Sequence, residues 1–200
     1  MISQASMLRE SQYMNFKFNE AKAIQVAGRL ITKSGGEMNY MALIKLVYLI
    51  DRESLLRYGH PVTGDRVVAM ERGPVVSQIF DFVSQKKQEY PNGNWHKYIP
   101  RPKPYVYTVK LERAAPDDQL SRVELELIDR VFEQHKNKDE EALVDFVHSL
   151  PEWKNPGKGK SKFIPYEEIL RAAGVPASEV TLMSENADAV AEMNFLPCVC

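Results

Sequence analysis

The sequence predicts an α+β fold: a mostly helical single domain with about six helices and a small two-stranded antiparallel ribbon. Six segments place apolar residues three and four positions apart, the spacing that lines one face of a helix. Only two short segments, residues 66–70 and 105–112, have the β-branched or alternating pattern of strands. Because a strand needs a partner, we expect these two segments to pair with each other.

The first two helices are predicted from their caps and their apolar residues. Asn19 is a favourable N-cap for the first, and the Ser34-Gly35-Gly36 run ends it. The second begins near Asn39 and ends at Gly59, shortly before Pro61. Its apolar residues are Leu43, Ile44, Leu46, Val47, Tyr48, Ile50 and Leu55. A face this wide predicts a central, largely buried helix.

The middle of the chain is predicted to contain both strands, a helix and a long loop. Gly73-Pro74 is expected to open the third helix, because proline is favoured at the first helical position. Its predicted buried stripe is Val76, Ile79, Phe80 and Val83. Residues 85–104 are polar and rich in proline, which predicts a loop. Residues 105–112 alternate as in a half-buried strand, with Tyr105, Tyr107, Val109 and Leu111 on one face.

Three further helices are predicted after the second strand. Ser121 and Glu124 have the spacing of a capping box. The run 139–141 places acidic residues at the positive end of the next helix. A last short helix is expected between Pro165 and Gly174.

The predicted domain organisation is a lead-in, one domain and a tail. Residues 1–15 are expected to be weakly ordered, residues 16–177 to form the domain, and residues 178–200 to form a C-terminal tail without strong periodicity. Cys198 and Cys200, both in the tail, are too few for a disulfide framework. The N-terminus lacks a basic segment followed by an apolar one, so we expect a cytoplasmic protein without a secretory signal.

The composition excludes several functional classes. The chain has 200 residues, with 26 lysines and arginines against 27 aspartates and glutamates, a formal net charge of −1. This balance argues against a basic nucleic-acid coat protein or a polybasic membrane binder. Its hydrophobic fraction of 44% is too high for a disordered chain. The longest apolar run, residues 41–50, contains a lysine and is too short to span a bilayer.

No motif for catalysis or for a cofactor is found. The four histidines lack metal-ligand spacing, so no metal site is predicted. The run 157–161 contains Gly-Lys-Ser but lacks the earlier glycine of a phosphate-binding loop. No serine or cysteine lies in a nucleophile motif. The sequence therefore indicates a protein that is not an enzyme and has no cofactor. Residues 95–98 interleave aromatic and basic side chains, which leaves nucleic-acid binding as a weak alternative.

Residues 43–83 have the most specific pattern in the chain. A K-L-x-Y-x-x-D helix is followed by a G-x-P-x-x-x-D turn and an A-x-x-x-G-P-V element. The matching residues are Lys45, Leu46, Tyr48, Asp51, Gly59, Pro61, Asp65, Ala69, Gly73, Pro74 and Val75. This segment resembles the Panacea domain, the SocA-like antitoxin family of bacteria and phages. The run 150–153 and the short helix from Tyr166 also look like the family.

The resemblance implies a non-catalytic antitoxin that neutralises a toxin encoded nearby by direct protein–protein binding. The expected partner is therefore a cognate toxin. Two alternatives stay open: an adaptor that delivers a partner to a AAA+ protease, with the tail as a docking or degradation signal, and a phage or mobile-element regulator that binds nucleic acid.

The residues of this segment are the candidates for partner binding. They are Lys45, Tyr48, Asp51, Arg52, Asp65, Arg66, Glu71, Arg72, Gly73 and Pro74. Lys45 and Arg52 are seven positions apart and share a helix face with Tyr48 between them. Polar groups beside a wide apolar face suggest a charged seam against a neighbouring element. The alternative is that Lys45, Asp51 and Arg52 form an internal network with Asp65 or Arg66 that holds the fold together.

Overall fold

The structure is a computed structural model that describes residues 13–84, 93–103 and 105–193. These residues form a mostly helical α+β fold with eight helices and five short strands. The helices are α1 (Glu20–Lys33), α2 (Tyr40–Tyr58), α3 (Ser77–Val83), α4 (Trp95–Tyr98), α5 (Arg122–His135), α6 (Glu140–His148), α7 (Tyr166–Ala172) and α8 (Ala177–Met193). The strands are β1 (Glu37–Asn39), β2 (Val67–Met70), β3 (Gly73–Val76), β4 (Thr108–Lys110) and β5 (Lys162–Phe163).

Helix α2 lies at the centre of the fold, as its wide apolar face predicts. Asn39 caps its N-terminus by accepting a hydrogen bond from the Met41 amide at 2.8 Å. Gly59 ends it in the left-handed conformation, with φ +78°. Every side chain of residues 43–51 is buried. The helix contacts α1, α3, α5, α6, α7 and β3, so most of the core is assembled around it.

Other predicted caps are also confirmed. Asn19 accepts a hydrogen bond from the Lys22 amide at the start of α1. Ser121 and Glu124 form the predicted capping box of α5, with both reciprocal hydrogen bonds present. Asp139, predicted only as part of an acidic helix start, also caps α6 through the Ala142 amide. These local signals could be recognised because both partners of each hydrogen bond lie within three residues.

The predicted strand pairing is wrong. Strand β2 lies between β3 and β5 in an antiparallel three-stranded sheet, and β4 pairs instead with β1. Neither β1, which has three residues, nor β5, which has two, is predicted from the sequence. Segments this short have too few residues to display an alternating pattern, so the two segments with a visible pattern were paired by default.

The prediction that Gly73-Pro74 opens a helix is wrong, because these residues begin a strand. Gly73 follows the hairpin turn at Glu71-Arg72 with φ +94° and begins strand β3. Pro74 pairs with Ala69 on the outer strand of the sheet, a position that tolerates a residue without an N–H. Helix α3 begins three residues later, at Ser77.

The predicted strand 105–112 is reduced to Thr108–Lys110, and its tyrosines are not buried. Tyr105 is 91% exposed and Tyr107 is 59% exposed, whereas Val109 is only 1% exposed. The expected loop 85–104 contains the short helix α4, although residues 85–92 and 104 lie outside the described residues. The alternating pattern therefore predicts the position of a strand correctly, but the strand is shorter than predicted and only Val109 on the alternating face is fully buried.

Helix α8 replaces the irregular tail expected from Ser178. It contacts α7 and places Val180 and Ala187 in the core. The expected lead-in contributes as well, because Met14 is buried and its amide donates to the Glu167 carboxylate. Residues 1–12, Cys198 and Cys200 lie outside the described residues, and the proposed domain boundaries stay predictions.

Candidate functional site

Lys45 is fully buried in the middle of α2. Its ammonium donates a hydrogen bond of 2.8 Å to the Pro74 carbonyl on β3. Burial, together with the nearby positive charge of Arg72, lowers the pKa of Lys45 to about 7. The bond joins the central helix to the hairpin β2–β3, because α2 and β3 lie directly against each other.

Gly73 gives the hairpin the space to approach Lys45. A Cβ at this position would lie 2.7 Å from Val147 Cγ2 and 3.1 Å from Lys45 Nζ. His148 stacks on Trp153 with ring centroids 3.8 Å apart and planes at 11°. The Trp153 indole in turn donates to the Met70 carbonyl at 3.1 Å. The hairpin is therefore held from three sides by α2, the end of α6 and the segment after it.

Tyr48 and Arg52 both bind Glu152, whose side chain is fully buried. The Tyr48 hydroxyl donates to Glu152 Oε1, and Arg52 Nε donates to the same oxygen at 2.6 Å. Burial and the Glu152 carboxylate raise the pKa of Tyr48 well above its usual value. The Pro-Glu-Trp run after α6 thus closes over α2 through one carboxylate that accepts two side-chain donors.

Asp51 holds the turn that follows α2. Its carboxylate accepts hydrogen bonds from the Val62 amide at 2.9 Å, the Thr63 amide at 2.8 Å and the Thr63 hydroxyl. Burial raises the pKa of Asp51 to about 7, although these donors oppose the shift. The carboxylate therefore determines the path of the chain between α2 and β2.

Asp65 caps a helix that begins twelve residues later. Its two carboxylate oxygens accept hydrogen bonds of 2.9 Å from the amides of Gln78 and Ile79 in the first turn of α3. Val76, the residue in the local N-cap position, has no side-chain oxygen and makes no capping hydrogen bond. Burial raises the pKa of Asp65 to about 6. The Tyr166 hydroxyl also donates to the Asp65 carbonyl, which ties α7 to the same point.

The ten predicted partner-binding residues divide into a buried group and an exposed group. The buried ones are Lys45, Tyr48, Asp51, Asp65, Gly73 and Pro74. Arg52 is partly exposed, whereas Arg66, Glu71 and Arg72 are exposed. Lys45, Asp51 and Arg52 follow the internal-network interpretation, but their hydrogen-bond partners are Pro74, Thr63 and Glu152 rather than Asp65 or Arg66. As the fold stands, only the exposed residues and part of Arg52 face solvent.

Arg72, in the exposed turn of the hairpin, lies close enough to Tyr40 to influence its pKa. We call Glu71, Arg72, Tyr40 and Tyr107 the hairpin–tyrosine surface. The rings of Tyr40 and Tyr107 stack with centroids 5.9 Å apart. Burial and the neighbouring Tyr107 raise the pKa of Tyr40, and the positive charge of Arg72 opposes this increase. Arg72 also forms an ion pair with Glu141 on α6. Neither tyrosine is among the predicted partner-binding residues, because the pattern of residues 105–112 predicts only a half-buried strand and does not say which face is exposed.

The aromatic-basic segment 95–98 does not present its tryptophan to solvent. Trp95 is 1% exposed and stacks on Phe82 with ring centroids 5.1 Å apart. It is therefore inaccessible to a nucleic-acid base in this conformation. Within the described residues, no group of three or more histidine, cysteine, aspartate or glutamate side chains is arranged to hold a metal ion. None of the helices in that part of the chain has both the length and the apolar character needed to cross a bilayer.

Comparison with known proteins identifies the family. Residues 43–154, more than half of the chain, match the family model described as "Antitoxin SocA-like, Panacea domain". The chain belongs to the SocA-like Panacea domain family. Comparisons with curated proteins and with solved structures found no match. The expected resemblance is thus confirmed, and family membership supports an antitoxin role in general.

The matched range contains most of the polar network just described. It begins at Leu43, in the first half of α2, and ends at Lys154, directly after Glu152 and Trp153. The hydrogen bonds from Lys45 to Pro74 and from Arg52 to Glu152 therefore lie inside the Panacea domain match, as does the hairpin turn. The contacts of Tyr166 and the whole of α8 lie beyond it.

Proposed function

We propose that this Panacea domain protein is a non-catalytic antitoxin that neutralises a toxin encoded nearby by binding it directly. The observation that carries the proposal is the family match over residues 43–154, since the family is described as antitoxin-like. The expected partner is the cognate toxin.

We further propose that the toxin contacts the hairpin–tyrosine surface. Arginine and tyrosine are the residue types that most often dominate binding energy at protein interfaces. Arg72 has a side chain that is 50% exposed, and Tyr107 is 59% exposed. The hairpin that carries Arg72 is held by Lys45, Trp153 and the close approach at Gly73. A surface held this rigidly loses little conformational entropy on binding. The buried members of the predicted set support it rather than contact the partner.

A growth-rescue experiment tests the proposal. The adjacent gene product is expressed with and without this protein, and the two are analysed by gel filtration. We expect growth arrest by the gene product alone, rescue on co-expression and a stable complex. If the gene product is harmless without this protein, the antitoxin assignment is wrong.

Variants then test the contact surface. The double variant Arg72→Glu, Tyr107→Ala should lose rescue and complex formation while keeping the unfolding temperature of the wild type. Arg122→Glu, Val123→Ala is a matched control, because Arg122 and Val123 are exposed residues on α5. Full rescue by the Arg72 and Tyr107 variant would place the contact elsewhere on the protein without affecting the antitoxin assignment.

The described residues favour neither of the two alternatives. The protease-adaptor hypothesis requires a loose tail from Ser178 as a docking or degradation signal, but helix α8 covers residues 177–193 of the structure. The nucleic-acid hypothesis used Trp95, which is buried.

A further inference from the structure

A pocket of about 680 Å³ lies where three helices meet, and no residue of the hairpin–tyrosine surface is in its lining. Its walls come from the segment that leads into α1, the end of α2 with the turn after it, and α8. We call it the helix-end pocket and define it by Phe16, Lys17, Lys22, Arg57, His60 and Met183. None of the ten residues predicted for partner binding lines it.

The charge of the helix-end pocket has one sign. Lys17, Lys22 and Arg57 line it, and among the residues that the structure describes no aspartate or glutamate does so. Since the whole chain is almost neutral, this is a local feature. Lys22 is held by Glu124 at 2.6 Å and Arg57 by Glu53, and both acids lie outside the lining. Within the described residues, Lys17 has no ion-pair partner.

The backbone around the pocket is compatible with negative charge. Asn19 caps α1 and Lys22 lies in its first turn, where the helix dipole is positive and Glu20 offsets part of that charge. The C-terminus of α2 also reaches the wall, but Arg57 occupies its last turn and compensates the negative end of that helix.

The remainder of the lining is mostly apolar. Phe16, Pro61, Val62, Met183 and Ala187 contribute to it, so the positive side chains surround an apolar surface. The positive charges come from three side chains on two separate segments, rather than from one backbone loop that would hold a single phosphate. This distribution matches several carboxylates flanking an apolar side chain better than one compact anion.

We propose that the helix-end pocket binds an acidic peptide segment of a protein partner, with an apolar side chain in the pocket and carboxylates on Lys17, Lys22 and Arg57. This inference rests on the proposed function and extends it. The toxin would supply the acidic segment and would contact the antitoxin at two separate surfaces, the pocket and the hairpin–tyrosine surface.

A peptide-binding experiment on the full chain tests the pocket without needing the toxin. The probe is a fluorescein-labelled peptide with glutamates flanking a leucine and a phenylalanine, followed by fluorescence anisotropy. We expect binding that weakens as salt concentration rises, and no binding of a peptide with lysines in place of the glutamates. The variant Lys17→Gln, Arg57→Gln should bind the acidic peptide about tenfold more weakly.

Matched controls identify the outcomes that would overturn the proposal. The variant Lys110→Gln, Arg122→Gln removes the same charge from exposed positions outside the pocket and should bind like the wild type. Equal loss in both variants would mean non-specific attraction, and absence of binding to the wild type would mean that the pocket does not take acidic peptides. Complete displacement by inorganic phosphate would indicate a simple anion site instead.

The growth-rescue experiment separates this inference from the proposed function. If the wild type rescues growth but does not bind the acidic peptide, the pocket assignment fails and the antitoxin assignment stands. If the wild type binds the peptide through Lys17 and Arg57 but does not rescue growth, the proposed function fails instead. Reduced rescue by the Lys17 and Arg57 variant would support both.

Discussion

Arg52 on helix α2 forms an ion pair with Glu152, a residue 100 positions later in the chain, with 2.6 Å between Nε and Oε1. The Glu152 side chain is fully buried, and its carboxylate also accepts a hydrogen bond from the hydroxyl of Tyr48. One carboxylate therefore closes the segment after α6 onto the central helix.

We predict that Glu152→Gln destabilises the protein by about 2–3 kcal/mol, because the substitution leaves the partly buried Arg52 guanidinium without its counter-charge. Urea unfolding followed by circular dichroism measures the change. Glu126→Gln is the control, since Glu126 pairs with Arg122 on an exposed helix face and should change stability by less than about 0.5 kcal/mol. Equal effects of the two substitutions would show that the Arg52 pair adds no stability of its own.

Gly73→Ala is predicted to destabilise the protein by about 2–4 kcal/mol. The left-handed backbone at φ +94° disfavours a side chain, and the new Cβ would lie 2.7 Å from Val147 Cγ2. Gly159→Ala separates the two effects, because Gly159 has φ +68° but open space around it. It should cost only about 1 kcal/mol in urea unfolding. A Gly73→Ala protein as stable as the Gly159→Ala protein would contradict the close approach of the hairpin to α6.

The stability contribution of Lys45 should depend on pH. Folded Lys45 loses its proton near pH 7, whereas in the unfolded chain it does so near its usual value of 10.5. The unfolded chain therefore binds more protons between these values, and the free energy of unfolding rises with pH, by at most about 1.4 kcal/mol per pH unit from this group. Urea unfolding between pH 7 and 9 should show this rise in the wild type.

Lys45→Met removes the titrating group and should remove that part of the pH dependence. Lys110→Met is the control, because Lys110 is exposed on β4 and its loss should leave the wild-type rise unchanged. If the Lys45→Met and wild-type curves run parallel across this pH range, Lys45 keeps its proton in the folded protein.

Asp65→Ala is predicted to destabilise the protein by about 2–3 kcal/mol, because two amides in the first turn of α3 lose their buried acceptor. Thermal unfolding gives the change. Asp139→Ala removes an exposed local cap from α6 and should cost about 1 kcal/mol. A smaller loss for Asp65→Ala than for Asp139→Ala would mean that water replaces the carboxylate at α3.

The sequence by itself determined the mostly helical class, the central helix and several caps. Residues 40–58 have apolar side chains on more than one face, and only a buried position satisfies such a helix. Asn19, Ser121 and Asp139 each cap amides within three residues, so their role depends on local spacing alone. The motif in residues 43–83 likewise indicates the family from the sequence alone, and the family match over residues 43–154 confirms it.

Only the tertiary structure decided which strands pair and where the motif residues point. β1 and β5 become strands through hydrogen bonds to distant partners, and Asp65 caps a helix that starts twelve residues later. Tyr107 and Val109 share one alternating face in the sequence, yet one is exposed and the other buried, because the core reaches only part of the strand. Such contacts join residues far apart in the chain, and local spacing carries no information about which of them meet.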